Sequence, residues 1–171
     1  TNPITSDMRY GNNIFILVGY NSTTAITSTD GITWVLKTLP SSNTWRQVVY
    51  GSGIFLATTQ GTAAASSTDG TTWTVRTLPN QTWQSLGSNG TLFVAASNAN
   101  AAASSTDGTT WTTRIMPASA VWEYISYGGG LFVATSASAT TAATSTDGIT
   151  WNLRTLPSAT GGYFGSAYGD R

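Results

Sequence analysis

Cysteine and histidine are both absent from this chain of 171 residues. The first absence removes disulfides and thiol nucleophiles, and the second removes imidazole bases. Together they take away the ligands of almost every zinc site. Charge is scarce too: charged residues make up 8% of the chain, against ~25% in an average globular protein, and seven basic residues balance seven acidic ones. No basic patch is available for nucleic acid, and no polybasic run for an anionic lipid surface. No apolar stretch approaches the ~20 residues of a membrane-spanning helix. Nor does any segment sustain a 3.6-residue apolar period, so no helix is expected. Without a signal-peptide pattern or an initiating Met, the sequence reads as a processed form or a fragment. The expectation is therefore a protein with no metal, no cofactor, no nucleic-acid partner and no membrane span.

What the chain has is repetition. One seven-residue phrase occurs four times: Ser28-Thr29-Asp30-Gly31-Ile32-Thr33-Trp34, then Ser67 to Trp73, Ser105 to Trp111 and Ser145 to Trp151. Its aspartates, Asp30, Asp69, Asp107 and Asp147, are spaced by 39, 38 and 40 residues. A period of this size marks one supersecondary unit per repeat. The similarity extends upstream. Trp45 to Ala57 aligns with Trp122 to Ala134, with Trp, Tyr, Gly, Gly, Phe and Ala in register, while Trp83 to Ala95 keeps Trp83, Phe93 and Ala95 and places Ser88 where the others have Tyr. The repeats run approximately over 4–40, 41–79, 80–117 and 118–157, with a partial fifth over 158–171, and the whole is expected to form one domain.

Each repeat divides into four short runs rich in Val, Thr, Trp, Phe and Ile and bounded by Gly, Asn, Asp and Pro, which is strand chemistry. Asp-Gly between the third and fourth runs signals a hairpin whose turn needs positive φ, which glycine supplies without strain. The box Ser and Asp oxygens are placed to accept amides in that turn, and Trp34, Trp73, Trp111 and Trp151 to cover the apolar seam between units. Pro40, Pro79, Pro117 and Pro157 have no N–H for a ladder, so each is expected to end a fourth strand. Four antiparallel strands per unit, repeated, describe an all-β propeller blade.

Those residues carry a family likeness. The chain resembles the Asp-box (BNR) repeat β-propellers, the group that includes sialidases. It is more closely similar to the Tyr-Gly-x-Gly-x-Phe-x-Ala…Ser-x-Asp-Gly-x-Thr-Trp arrays of phage and bacterial surface proteins. The likeness covers nearly the whole chain. It departs from the usual Ser-x-Asp-x-Gly-x-Thr-Trp box, because Gly31 follows Asp30 directly, as in every copy. The resemblance implies a four-bladed Asp-box propeller with one extra inner strand, on a virion or an extracellular surface.

Two ways of completing the ring follow. In one, a C-terminal strand over Gly161 to Tyr168 pairs near Ile14-Phe15-Ile16 and closes four blades, which Pro3 and Asp7 favour by making residues 1–10 the poorer inner strand. In the other, another subunit or further sequence completes a larger ring.

Eight of the fourteen charges belong to the repeat: the four box aspartates and Lys37, Arg76, Arg114 and Arg154, seven residues later. Seven residues of strand span roughly 23 Å, so these are turn-closing and solvating residues rather than ion pairs. Sialidases need an arginine cluster, a Tyr–Glu pair and an acid/base Asp, and glycosidases in general need two facing carboxylates. Outside the repeat set remain Asp7, Arg9, Arg46, Glu123, Asp170 and Arg171, which cannot supply them. No catalytic residue is expected, and the chain is read as non-enzymatic.

Variation between units points elsewhere. The residue after the inner-strand Trp changes in every copy, as Arg46, Gln84 and Glu123, with Ser6 and Phe164 in the same slot. The linking loops, which include Asn43 and Gln81, also differ. Trp45, Trp83, Trp122 and Tyr163 are either blade-packing core or platforms at the mouth of that face. Aromatic faces ringed by amides and hydroxyls suit sugars. The leading expectation is a glycan- or receptor-binding module. The alternative is a structural or oligomerising module of a virion, and a sialidase-like hydrolase comes third.

Overall fold

A computed structural model describes residues 5–19, 22–138 and 140–158. Sixteen strands and no helix occur among them. They form four antiparallel sheets of four strands each, in sequence order. The first sheet is β1 (Thr5–Gly11), β2 (Ile14–Gly19), β3 (Ser22–Ser28) and β4 (Val35–Asn43). The second is β5 (Trp45–Gly51), β6 (Ile54–Thr59), β7 (Ala63–Ser67) and β8 (Thr74–Thr77). The third is β9 (Trp83–Ser88), β10 (Phe93–Ser97), β11 (Ala101–Ser105) and β12 (Thr112–Ile115). The fourth is β13 (Trp122–Gly128), β14 (Leu131–Ser136), β15 (Thr141–Ser145) and β16 (Asn152–Thr155). Each sheet corresponds to one sequence repeat; β1, β5 and β13 end at the Tyr-Gly pattern, and β9 ends at Ser88, which stands in the place of that Tyr.

The chain divides into two compact units, one ending at Asn80 and the other beginning at Gln81. Each holds two sheets around its own core. In the first unit, Ile16, Val18 and Ala25 of the first sheet pack with Trp45, Val48, Phe55, Ala57 and Ala65 of the second. In the second unit, Val94, Ala96 and Ala102 of the third sheet pack with Trp122, Ile125, Phe132, Ala134, Ala143 and Trp151 of the fourth. The small residues have a reason. In the third run, Ala65, Ala103 and Ala143 are fully buried, and their shortness leaves room for the Phe and Trp rings that fill the space between sheets.

Two expectations are corrected. First, β1 pairs with β2 through Tyr10↔Phe15 and Arg9↔Ile16, so the partner of Ile14-Phe15-Ile16 is the N-terminal strand and not a C-terminal one. Asp7 does not spoil that strand. It accepts the Met8 amide (2.9 Å) and, from the second sheet, the Val48 amide (2.9 Å), so it uses the unpaired edge of β5 as a partner. The fifth inner strand over Gly161 to Tyr168 lies outside the described residues. Second, Pro40 does not end its strand: β4 runs on to Asn43. The ladder with β3 jumps from Thr24↔Thr38 to Ser22↔Asn43, so Pro40 sits in a bulge on an outer strand, where its missing N–H costs no ladder bond. Pro79, Pro117 and Pro157 do lie beyond the ends of β8, β12 and β16.

Candidate functional site

The registers give every sheet the same two ends. At one end lie the β1–β2 type of connection and the repeated Ser-x-Asp-Gly turn. At the other lie the start of the inner strand and the linking segments.

The turn end is built four times to one plan. Ser28 Oγ donates to Asp30 Oδ1 (2.9 Å) and accepts the amide of Gly31 (2.9 Å), while Asp30 Oδ1 also accepts the amides of Ile32 (2.8 Å) and Thr33 (2.7 Å). Asp69, Asp107 and Asp147 repeat this, with Oδ1 distances to the two following amides of 2.7 to 2.8 Å. Gly31, Gly70, Gly108 and Gly148 adopt φ of 73°, 71°, 68° and 67°, the left-handed region the turn requires. Chiefly because of the amide three residues on, and then the amide two on, each carboxyl is held at about 2. Such a carboxylate has spent one oxygen on the turn and holds no proton to give near neutrality. The box tryptophans serve the same end. Trp34 and Trp73 donate Nε1–H to the carbonyls of Gly31 and Gly70 (3.3 Å each), Trp73 packs on the first unit's core and Trp151 lies within the second's. Trp111 is half-buried, and Trp34 is exposed.

The other end varies. In every sheet the inner strand opens with a register break against the second strand: between Thr5 and Asp7, Trp45 and Gln47, and Trp122 and Tyr124, and opposite Ala96 and Ser97 where Trp83 and Ser85 pair. The skipped residues are Ser6, Arg46, Glu123 and Gln84. The variable position after the inner-strand Trp is thus a β-bulge, a residue taken out of the ladder, which is a device for re-aiming a side chain. Arg46, Gln84 and Glu123 are each partly buried.

The tryptophan before each bulge is core. Trp45, Trp83 and Trp122 are at most 2% exposed, so of the two readings of these rings the core one holds and the open-platform one is corrected. Burial of ~200 Å² of ring outweighs presenting it. Trp45 and Trp122 instead anchor the linking segments, donating Nε1–H to the carbonyls of Ser41 (3.2 Å) and Ala118 (3.4 Å). Asn43 is half-buried and its Nδ2 reaches Ser41 Oγ (2.7 Å). Gln81 is exposed. Tyr163 lies outside the described residues.

Sequence reasoning missed one part of this end. Opposite the three tryptophans stand Thr59, Ser97 and Ser136, each buried and paired in register with its Trp. Each hydroxyl accepts the amide two residues on, from Gly61 (3.2 Å), Ala99 (3.1 Å) and Ser138 (3.2 Å). That stiffens the connection from the second strand to the third. The signal was available: a hydroxyl residue falls 14 positions after each inner-strand Trp.

The equivalent bulge position therefore carries a guanidinium in the first unit, and an amide and a carboxylate in the second. No group of three or more potential metal ligands occurs among the described residues, and no helix among them is long and apolar enough to cross a membrane.

These features define a class. The chain belongs to the DUF6242 beta propeller domain family, whose model matches residues 5–121. Among solved structures it is similar in fold to virginiamycin B lyase from Staphylococcus aureus, with a TM-score of 0.75 and 16% identity over 90% of this chain and 56% of that one. It is also similar to YCF48 bound to D1 peptide (0.70, 20%, 90% and 55%) and to YCF48 from Cyanidioschyzon merolae (0.64, 14%, 95% and 62%). The chain thus spans somewhat more than half the length of these structures. No curated protein matches it.

Proposed function

We propose that this chain is a non-enzymatic recognition module whose ligand is read at the bulge ends of its two units, by Arg46 in the first, by Gln84 and Glu123 in the second, and by the linking segments of each. The observation that carries the reading is the coincidence of two things at one position. The bulge lifts a residue out of the ladder in all four sheets, and that residue changes from small hydroxyl to cation, amide and anion. A scaffold that needed only a filler would repeat it, as it repeats the turn.

The ligand class is a carbohydrate or a cell-surface receptor. The low charge and the neutral hydrogen-bonding groups around Asn43 and Gln81 suit hydroxyl-rich partners, with polar contacts in place of ring stacking. The propeller neighbour solved with a D1 peptide is a case of recognition on a related frame. The repeated turns are read as Asp boxes of BNR type, in a virion or secreted surface protein. A lyase activity has no support in the residues: a histidine-to-alanine substitution leaves the staphylococcal lyase catalytically inactive, and this chain has no histidine. A hydrolase lacks its paired carboxylates, since Glu123 has no acidic counterpart at the other described bulges.

A structural or decorating role is the second reading, favoured by apolar surface left open on the first sheet. A glycan-array screen of the folded protein separates the two. Hits that share a terminal sugar and vanish in an Arg46→Ala/Gln84→Ala/Glu123→Ala variant support recognition. A blank array from folded protein supports the structural role.

A further inference from the structure

The sheets carry one aromatic cluster in three near-identical copies, and one copy is bare. Tyr50 and Phe55 lie with ring centroids 4.8 Å apart at 52°, and Tyr127 and Phe132 at 4.7 Å and 55°. Tyr10 and Phe15 of the first sheet match them at 4.6 Å and 47°. The next ring matches as well: Phe132 to Trp151 and Phe15 to Trp34 are both 6.3 Å and 51°. Yet Trp151 is 7% exposed and Trp34 39%. Val48 and Ile125, beside the covered clusters, are 1% and 8% exposed, whereas Met8 in the same place is 54% exposed, and Tyr10 stands at 53%.

What covers the other copies is visible within each unit. Ile14 and Ile16 of β2 lie over the Gly70 turn of the second sheet, and Leu92, just before β10, and Val94 of β10 lie over the Gly148 turn of the fourth. A methyl added at Gly148 would sit 2.8 Å from both Leu92 and Val94. At Gly31 the nearest atom to such a methyl belongs to Phe15 of the same sheet, at 4.0 Å, and among the described residues nothing from another sheet comes within that distance. The cover is always the same: the second strand of another sheet, with an aliphatic residue on each side of its Phe. The chain carries two more strands of this kind: β6, with Ile54 and Leu56 around Phe55, where Leu56 is already fully buried, and β14, with Leu131 and Val133 around Phe132. Ile16 and Val94 are fully buried, whereas Val133 at the same position is only half-buried.

We propose that the exposed face of the first sheet, formed by Met8, Tyr10, Phe15 and Trp34, docks the β14 face of a second copy of this chain. The contact reproduces, between copies, the packing that joins the sheets within each unit. It leaves no charge to be desolvated among the named residues. Because the two faces differ, association is head to tail, and it stops where a ring of copies closes. The inference stands apart from what the bulge residues bind.

Light scattering on the purified chain, with two variants, tests it. The wild type is expected as a defined assembly of two or more copies. Met8→Lys alters an exposed residue, so the fold should survive, and it is expected to give monomer. Val133→Asp is expected to do the same, with an unchanged far-ultraviolet circular dichroism spectrum as the check on folding. An equimolar mixture of the two variants keeps one intact pair of faces and is expected to recover a two-copy species. Should Val133→Asp unfold, Val133→Ala takes its place and is expected to weaken assembly without abolishing it. A monomeric wild type overturns the proposal. So does an assembly that Met8→Lys leaves intact, or one that Met8→Lys breaks while a folded Val133→Asp does not, which would mean that like faces meet.

Discussion

The two ends of each sheet obey opposite rules. At the turn end, four copies of one hydrogen-bonding plan recur with the same donors, the same acceptors and glycine φ within a few degrees. At the bulge end the backbone device recurs, a Trp, a skipped residue and a hydroxyl across from the Trp, while the skipped residue itself changes. Identity across repeats marks what every sheet needs in order to fold. A repeated geometry with an unrepeated side chain marks what the sheets do not need in common, and that is where recognition is assigned.

The tryptophans beside the bulge give the largest expected effect on this contrast. Trp83→Ala removes a fully buried ring and should cost about 3–5 kcal/mol, a large part of the ~5–15 kcal/mol that holds a domain folded. Denaturant unfolding measures it. A stable Trp83→Ala protein that has lost only ligand binding would break the comparison, because the Trp would then be a platform. At the turn end, Asp69→Ala removes the acceptor of the Thr71 and Thr72 amides and of the Ser67 hydroxyl. Those amides are exposed and can turn to water, so the loss should be about 1 kcal/mol, read as a lowered melting temperature with binding intact. An unchanged melting temperature would refute the account of the turn.

Acid should reveal the same turns together. Each turn carboxyl has a folded pKa of about 2, below its ordinary value of 3.8. Its stabilisation is therefore complete above the ordinary value and is lost as pH falls through about 2. Asp7 opposes this, since burial raises its pKa and its protonation on acidification favours the folded form. With no histidine to titrate, the turn carboxyls should leave stability level from about pH 5 to 8 and lower it below about pH 4. A loss of stability on acidification that is complete above about pH 4 would contradict the assignment. The bulge itself should be read in binding rather than in stability. Arg46→Ala, Gln84→Ala or Glu123→Ala should each change binding, and, as partly buried side chains with a partner, each should shift stability by about 0.5–1.5 kcal/mol, well below the loss at Trp83.

Much of this was legible from residues. The Asp-Gly turns, the ends of the inner strands at Tyr-Gly and the absence of helix follow from local chemistry that repeats, and repetition suppresses chance. The variable slot after the inner Trp was legible as variation, but its bulge was not. A bulge is a disagreement between two strands, and sequence shows one strand at a time. Pro40 misled for the same reason: its missing N–H matters only if the position lies in the ladder, and in β4 it does not. The depth of Trp45, Trp83 and Trp122 depends on which sheet packs over each ring, and no spacing along the chain encodes that.

The most direct test of the central claim is the glycan-array profile of the wild type beside that of the folded Arg46→Ala/Gln84→Ala/Glu123→Ala variant, with Asp69→Ala as the turn-end control. The account predicts a coherent set of hits that the triple variant loses and the control keeps. Hits that survive the triple variant, or that fall with Asp69→Ala while the triple variant retains them, would contradict it.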